Sequence, residues 1–514
     1  MWLFTSVASA STITVSPAGP ADYPTIEAAV DAAASGDTIR VEPGTYSERL
    51  VIRGKDLTLE STQGAAVTTI RDGWENSLIL VDGGDVVIKG FDVTSSTIRH
   101  CVRVRVGSVE LHEMVIHDCD AYDGLGGGLR TDSGTRASVF DSEFRNNRAH
   151  WTIGARAPQI YSRGEYLEVR NTKFLGGFSE GDCGGVMVMG GDNILVGNWF
   201  EGNVATDDGG AFYADGRPTV FPDGTEADGV QTLVLTDNTF VANEAGDDGG
   251  AVFLIAMPGY TIDRNLMCNN HAVYRGGGIY VDGAPGPGNL RFNVVQENVA
   301  GDDGGGMFVN EGSPTLENND WLANQSGNEG GGLAVKNGAL VLRNDLVAYT
   351  VRGDGLRMLG ETPTRSHKYA AWWDNTAADV GTGLIGSTDL AVDPALRNVS
   401  FDGDCTNDDW APTASSPLID AGDPARTDAD GSRSDIGAVA LGAATPGADP
   451  TLDPPTSYTP GAADSGLATE APSGCACDAT AGSTSPFALL MLVAVGRRRA
   501  AMTTQVRPCE RVSV

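Results

Sequence analysis

The chain has 514 residues, with 68 acidic against 35 basic side chains and a formal net charge of -33. That balance excludes a nucleic-acid or anionic-membrane surface held by clustered Lys and Arg, and leaves cations and neutral or basic surfaces as partners. Apolar residues at 41% and charged residues at 20% suit a folded, extracellular type of chain. The length allows several domains, or one solenoid that grows without a new core.

Residues 1–10, M-W-L-F-T-S-V-A-S-A, form an apolar run that ends in the Ala8-Ser9-Ala10 pattern of a secretory cleavage site. The basic opening of such a signal is missing, so we read it as a truncated signal peptide. Next comes a stretch in which Thr25 is a good helix N-cap. Ile26, Ala29, Val30 and Ala33 share one helical face, and Gly36 sits where a helix would stop. Strand-like runs follow around Ile39 and Val41, then Leu50 and Ile52. A short helix here would cover the open first coil of a solenoid, whose apolar interior and strand edges are otherwise exposed. Thr25, Ile26, Ala29, Ala33, Gly36, Asp37, Ile39, Val41, Gly44, Tyr46, Glu48 and Ile52 form a pattern that resembles the N-terminal cap of pectin-lyase-like β-helix proteins. Residues 11–56 are therefore expected to form the cap and first coils.

From residue 57 to about 130 the repeat is irregular; then it becomes clear. An alternating apolar run leads into Asn-x-Phe-x-x-Asn, then an acidic turn and a pair of glycines. The register reads Phe144/Asn147, Phe200/Asn203, Phe240/Asn243, Leu266/Asn269, Val295/Asn298 and Trp321/Asn324. Glycine pairs begin at Gly184, Gly209, Gly249, Gly277, Gly305 and Gly331, and one long interval holds an insertion from Arg217 to Val230. A two-residue apolar period argues for strands, the glycines for corners of positive φ, and the fixed spacing for a solenoid. The chain is thus expected to be all-β, a single right-handed parallel β-helix with a short capping helix. Roughly fifteen coils would make a rod about 70 Å long. Asn203, Asn243, Asn269, Asn298 and Asn324 should form an internal ladder, each amide bonding the coils above and below. These repeats resemble those of chlamydial polymorphic outer membrane proteins and, more broadly, bacterial right-handed β-helix proteins of the pectin-lyase-like superfamily.

After Leu356 the repeat fades, and the segment with His367, Trp372 and Trp373 reads as an excursion or an atypical coil. The stretch from Ser416 to Ala438 resembles the closing segment of many bacterial β-helix domains, so the folded part should end near Ala440. Residues 441–474, rich in Pro, Gly, Ala, Thr and Ser, read as a flexible stalk. In residues 475–499, Cys475 and Cys477, an apolar run and Arg497, Arg498 and Arg499 resemble the myxobacterial C-terminal sorting signal. That resemblance implies membrane anchoring through the C-terminus. The apolar run falls short of a spanning helix, and residues 500–514 continue past the arginines without an assignment. Eight cysteines form no metal pattern, and their pairing is not readable from spacing.

Chemistry concentrates at the residue two before each glycine pair: Asp182, Asp207, Asp247, Arg275, Asp303 and Glu329. Stacked coils would make these one carboxylate column with an arginine inside it. Hard oxygen ligands in a row suit calcium, and a solvated turn face suits the same residues equally well. Asp428, Asp430 and Asp435 make a second acidic group in the closing region, where loop calcium and plain turn chemistry are both open. Calcium is the only cofactor these residues bring into question. The Asp-Asp pairs recur in several coils, whereas a catalytic pair occurs once, and the Gly-His-Gly motif of polygalacturonase-like hydrolases is absent.

The expected protein is an exported, surface-retained, adhesin-like rod that binds polysaccharide or another surface protein. The alternative is a polysaccharide-degrading enzyme of pectate-lyase type, a lyase or a glycoside hydrolase. A single-copy cleft joining carboxylates to an Arg or Lys would favour the enzyme, and uniform ladders would favour the rod.

Overall fold

Two columns of buried amides run along the repeats and show how the coils are held. The computed structural model describes residues 10–71, 77–95, 100–150, 156–220, 224, 226–360, 364–381, 385–440 and 447. The signal-like residues 1–9 lie outside them, as do Cys475, Cys477, Arg497, Arg498 and Arg499 and nearly all of the stalk. A representative coil consists of strands Val252–Ile255, Tyr260–Asp263, Leu266–Cys268 and His271–Ala272. Each pairs in parallel with its equivalent in the next coil, Val252 with Ile279, Tyr260 with Gly288, Leu266 with Val294 and His271 with Val299. The strands form sheets of 24, 14 and 8 members. The 14-stranded sheet takes one strand per coil, fourteen coils where the spacing predicts roughly fifteen. The architecture is a right-handed parallel β-helix with one α-helix among the described residues.

That helix, Ile26–Ala32, explains the residue pattern ahead of the coils. The Thr25 hydroxyl accepts from Ala28 N at 3.3 Å, and Glu48 accepts from Ile26 N and Glu27 N at 2.9 and 2.7 Å. Orphan N–H groups at the helix start are thereby satisfied. Asp37 accepts from Ser11 N and Ala34 N, which ties the first strand to the end of the helix. Ile26, Ala29 and Val30 are buried against the first coil.

Inward residues of the alternating strands fill the interior. The Phe of the repeat motif stacks coil on coil: ring centroids of Phe144, Phe174, Phe200 and Phe240 lie 5.3, 4.7 and 4.7 Å apart in turn. On either side of this column stands an amide ladder. In one, Asn203, Asn243, Asn270, Asn298 and Asn324 pass Nδ2 to the next Oδ1 at 2.9–3.0 Å. In the other, Asn198, Asn238, Asn265, Asn293, Asn319 and Asp345 do the same at 2.8–3.0 Å. Each amide also reaches a carbonyl of the coil behind it, as Asn243 reaches Phe200 O at 3.0 Å.

The ladder corrects the sequence register in one coil. Phe240 pairs with Met267, not Leu266, so Asn270 takes the ladder site. Asn269 instead occupies the corner before it, exposed and at φ 53°. Every ladder asparagine follows such a left-handed corner: Asp237, Arg264, Phe292 and Asn318 precede one ladder, and Ala242, Asn269, Glu297 and Ala323 the other. A bulky side chain at φ 56° is strained at Phe292, whose ring is 38% exposed and adds little to the core. Phe292→Gly should stabilise the fold by roughly 0.5–1 kcal/mol, read as a higher urea midpoint.

The glycine pairs serve the expected purpose in two coils, where Gly209 (φ 73°) and Gly249 (φ 74°) take the left-handed corner, and a different one in the others. The positive φ falls on the glycine before the tight site, as at Gly276 (φ 66°), while Gly277 itself has no room for a side chain. A Cβ on Gly277 would stand 2.4 Å from the Gly305 carbonyl oxygen. Close approach of neighbouring corners, more than backbone freedom, demands glycine there.

The repeat continues past Leu356: strands Leu356–Leu359, Thr364–Lys368 and Ala371–Trp373 extend the two larger sheets. In this coil Trp372 is buried and Trp373 half-buried. Asp389 accepts from Trp372 Nε1 at 3.1 Å and lies 2.5 Å from His367 Nδ1. The closing segment then lies as a strap on the outer face of the 14-stranded sheet. Leu418, Ile436 and Val439 pack there on Leu266, Val294, Leu322 and Leu346. A disulfide joins strap Cys405 to Cys268, and a second joins Cys101 to Cys119.

Candidate functional site

The outer face of the first strand in each coil carries a dense group of ionisable side chains. Outward positions on successive coils are Tyr161, Met187, Tyr213, Phe253, Tyr280 and Phe308. The last four rings stack at centroid distances of 4.8, 5.0 and 5.5 Å. Each of the four is at most 5% exposed, so they form the floor of the face and not an open platform for a sugar ring.

Beside this floor runs the charged column, in a register one residue away from the expected one at two coils. The turn bonds Cys183 N to Asp208 O, Gly209 N to Asp248 O, Gly249 N to Arg275 O, Gly276 N to Asp303 O and Gly304 N to Glu329 O. The column is therefore Asp182, Asp208, Asp248, Arg275, Asp303 and Glu329. Asp207 and Asp247 sit one step outside it, because Gly209 and Gly249 take the left-handed corner and only the second glycine of each pair is the tight one. Asp302 N bonds Tyr274 O, and Tyr274 N bonds Asp247 O, in that outer row.

Like charges at coil spacing are relieved unevenly. Arg275 reaches Asp248 through Nε at 3.1 Å and Nη2 at 2.5 Å, and its guanidinium stands 5.0 Å from the Tyr280 ring centre. Arg357 grips Glu329 with two bonds of 2.9 Å. At the other end Arg156 Nε lies 3.6 Å from Asp182. Between these pairs the carboxylates crowd. Asp182, Asp207 and Asp208 form one group, and Asp208, Asp247 and Asp248 another, each with an oxygen within 4.8 Å of the rest. Burial, then the charges of Asp248, Asp207 and Asp182, pushes Asp208 up to about 9. Burial raises Asp182 and Asp248 to about 6, opposed by Arg156 and Arg275 respectively.

Toward the N-terminus the same face turns basic. Arg103, Arg130 and Arg163 converge on Asp132, with bonds of 2.6, 3.1 and 2.8 Å. Arg130 also lies 3.3 Å from Asp123 and from His100 Nε2. One wall is the insertion after Asp215, where Thr219–Val220 pairs antiparallel with Glu226–Ala227. Ala227 packs in one cluster with Tyr161, Met187, Met189 and Tyr213, and the Ser133 hydroxyl donates to the Glu226 carbonyl. Among the described residues these arginines and this wall occur once; the insertion is legible in the sequence as a break in the repeat, whereas the arginine cluster is not. The cluster's signal is Arg103 and Arg130 inside strands, with Arg163 directly after the strand Ile160–Ser162.

The closing-region acids do not gather in the same way. Asp428 accepts from Asp435 N, Asp435 from Asp420 N and Asp430 from Ser432 N, each at 2.8 Å. That is turn chemistry. The strap residue Asp408 accepts from Gln296 at 2.7 Å and from Ser400 N at 2.7 Å.

The crowded acids carry a pH prediction. A carboxyl whose folded pKa lies above its unfolded value favours folding most below the unfolded value, near 4, and that advantage is lost as pH rises through the folded value. For Asp208 the window runs from about 4 to about 9. Melting temperature should fall across it, and Asp208→Asn should flatten the fall. A melt profile in which the variant tracks the parent would contradict this.

No protein-family model matches the chain, nor does any curated protein. Among solved structures, the chain is similar to the pectate lyase Pel9A at 13% identity, over 85% of this chain and 98% of that one, with a TM-score of 0.32. It is also similar to the pectin methylesterase from Aspergillus niger at 13% identity, over 76% of this chain and 93% of that one, with a TM-score of 0.19. Likenesses this remote concern the fold alone.

Proposed function

We propose that the chain is an exported β-helix rod that binds polysaccharide on the face just described, with a divalent cation between the Asp208 carboxylate groups and the glycan. One observation carries this reading: two overlapping carboxylate trios share Asp208 on a charged column that repeats coil on coil. Three carboxylates whose oxygens approach within 4.8 Å fit a hard cation such as calcium, which would relieve their repulsion and favour the ionised form. Asp182, Asp207, Asp208, Asp247 and Asp248 would hold it. A bare acidic face repels acidic glycans, so the cation also widens the range of glycans that can dock.

Export rests on the N-terminal apolar run and the tail motif, with support from the two disulfides, which persist in oxidising compartments. Surface display and an adhesin-like role are part of the same proposal.

A second reading, glycan cleavage, is favoured by a specific contrast. Asp208 is held protonated at neutral pH while Asp182, beside Arg156, ionises near 6, an acid and a base on neighbouring coils. The site for either reading is this face and not the coil of His367 and Trp372, whose polar groups are spent on packing the end of the helix.

Calorimetric titration of the full chain with calcium, followed by pull-down on acidic and neutral polysaccharides with and without calcium, tests the proposal. We expect calcium binding that Asp208→Asn abolishes, and glycan retention that depends on it. Absence of calcium binding, or retention indifferent to it, would sink the bridged-cation reading. New reducing ends or unsaturated products, lost in Asp208→Asn, would establish cleavage.

A further inference from the structure

The strap lines a half-open cavity of about 320 Å³ where it crosses the corner that holds Tyr349. Tyr349, Leu396, Val399 and Phe401 supply apolar walls, Ala395 part of the backbone, and Asp393 a carboxylate. Two of these residues are unexpected where they stand. In the four preceding coils the corner of Tyr349 is held by Ala242, Asn269, Glu297 and Ala323; here an aromatic residue takes φ 60°. Phe401 leaves 45% of its surface exposed, where Leu396 and Val399 beside it are half-buried. The two rings stand 5.2 Å apart at 52°, a tilted pair rather than a parallel stack.

Electrostatics decide what such a notch accepts. The Tyr349 hydroxyl is raised by burial, then by the charges of Asp393 and Asp374, so both carboxylates act on the cavity. Asp393 also caps Ala395 N at 2.9 Å, which holds its carboxylate in place. The cavity lining contains no basic side chain. Tilted aromatic faces attract a cation through their quadrupoles, and carboxylates at short range reinforce that attraction. A neutral apolar ligand would gain nothing from Asp393, and an anion would be repelled by it. The volume is at the lower end for small-molecule sites.

We propose that this cavity binds a small alkylammonium ligand, with the cation against the Tyr349 and Phe401 rings and facing Asp393. Neither the carboxylate face nor glycan binding is involved, so the proposal stands or falls separately.

Choline and its uncharged isostere 3,3-dimethyl-1-butanol are the probes, titrated into the full chain by NMR or calorimetry. Choline should bind about tenfold or more tightly than the alcohol. Phe401→Ala and Asp393→Asn should each weaken choline about tenfold without moving the melting temperature appreciably, since one side chain is exposed and the other keeps its capping oxygen. Equal affinity for the two probes, binding of neither, or choline affinity unchanged in both variants would overturn the assignment.

Discussion

Asn270→Ala should destabilise the β-helix by about 3–5 kcal/mol, whereas Asn269→Gly, one residue away, should stay within about 0.5 kcal/mol of the parent. The side chain of Asn270 is fully buried and makes four kinds of bond. Its Oδ1 accepts from Asn243 N at 3.0 Å and Asn243 Nδ2 at 2.9 Å, while its Nδ2 donates to Phe240 O at 3.0 Å and Asn298 Oδ1 at 2.9 Å. Truncation strips a partner from each of those groups inside the coil wall. A buried N–H left without an acceptor costs its full desolvation, roughly 1–3 kcal/mol, and several are affected together. Asn269 is exposed at a left-handed corner that glycine adopts freely. Urea denaturation of both variants, followed by circular dichroism, measures the difference. Equal midpoints would refute the register, and with it the ladder as the main polar support of the coils.

Replacing Cys268 and Cys405 together by Ser should cost up to about 5 kcal/mol on the chain-entropy account of cross-links, because the bridge closes a loop spanning a sequence separation of 137. The same treatment of Cys101 and Cys119, separated by 18, should cost about 3 kcal/mol. The larger figure concerns docking of the strap and not the winding of coils. Besides the bridge, the strap is held along its length by Trp410 Nε1 and Asp408 on Gln296, Gly403 N on Glu297, Asn318 Nδ2 on Asp435 O and Ala438 N on Asp320. Arg426 on Glu317, Asp423 on Asn344 and Arg343, and the apolar patch around Leu418 and Ile436 complete the set. Limited proteolysis should cut the double variant within the strap while the coils remain resistant. Unchanged resistance of the strap would show that the noncovalent contacts suffice.

The sequence determined the coil by itself, since alternating apolar residues, a recurrent Phe and paired glycines act through neighbours a few residues away or through an identical neighbour one coil on. The cap was readable for the same reason: Thr25, Asp37 and Glu48 bond to backbone groups of a short local unit. Single-residue register was decided only by stacking. Two adjacent asparagines at 269 and 270, and two adjacent aspartates at 207–208 and 247–248, offer identical chemistry to a reader of the chain. Only the requirement that a glycine fit against the next corner selects which of them points where. The site face is likewise a product of winding. Arg156, Asp182, Asp208 and Asp248 become neighbours because each coil returns to the same azimuth about 4.8 Å further along, and a register error of one residue exchanges a crowded carboxylate for an outlying one.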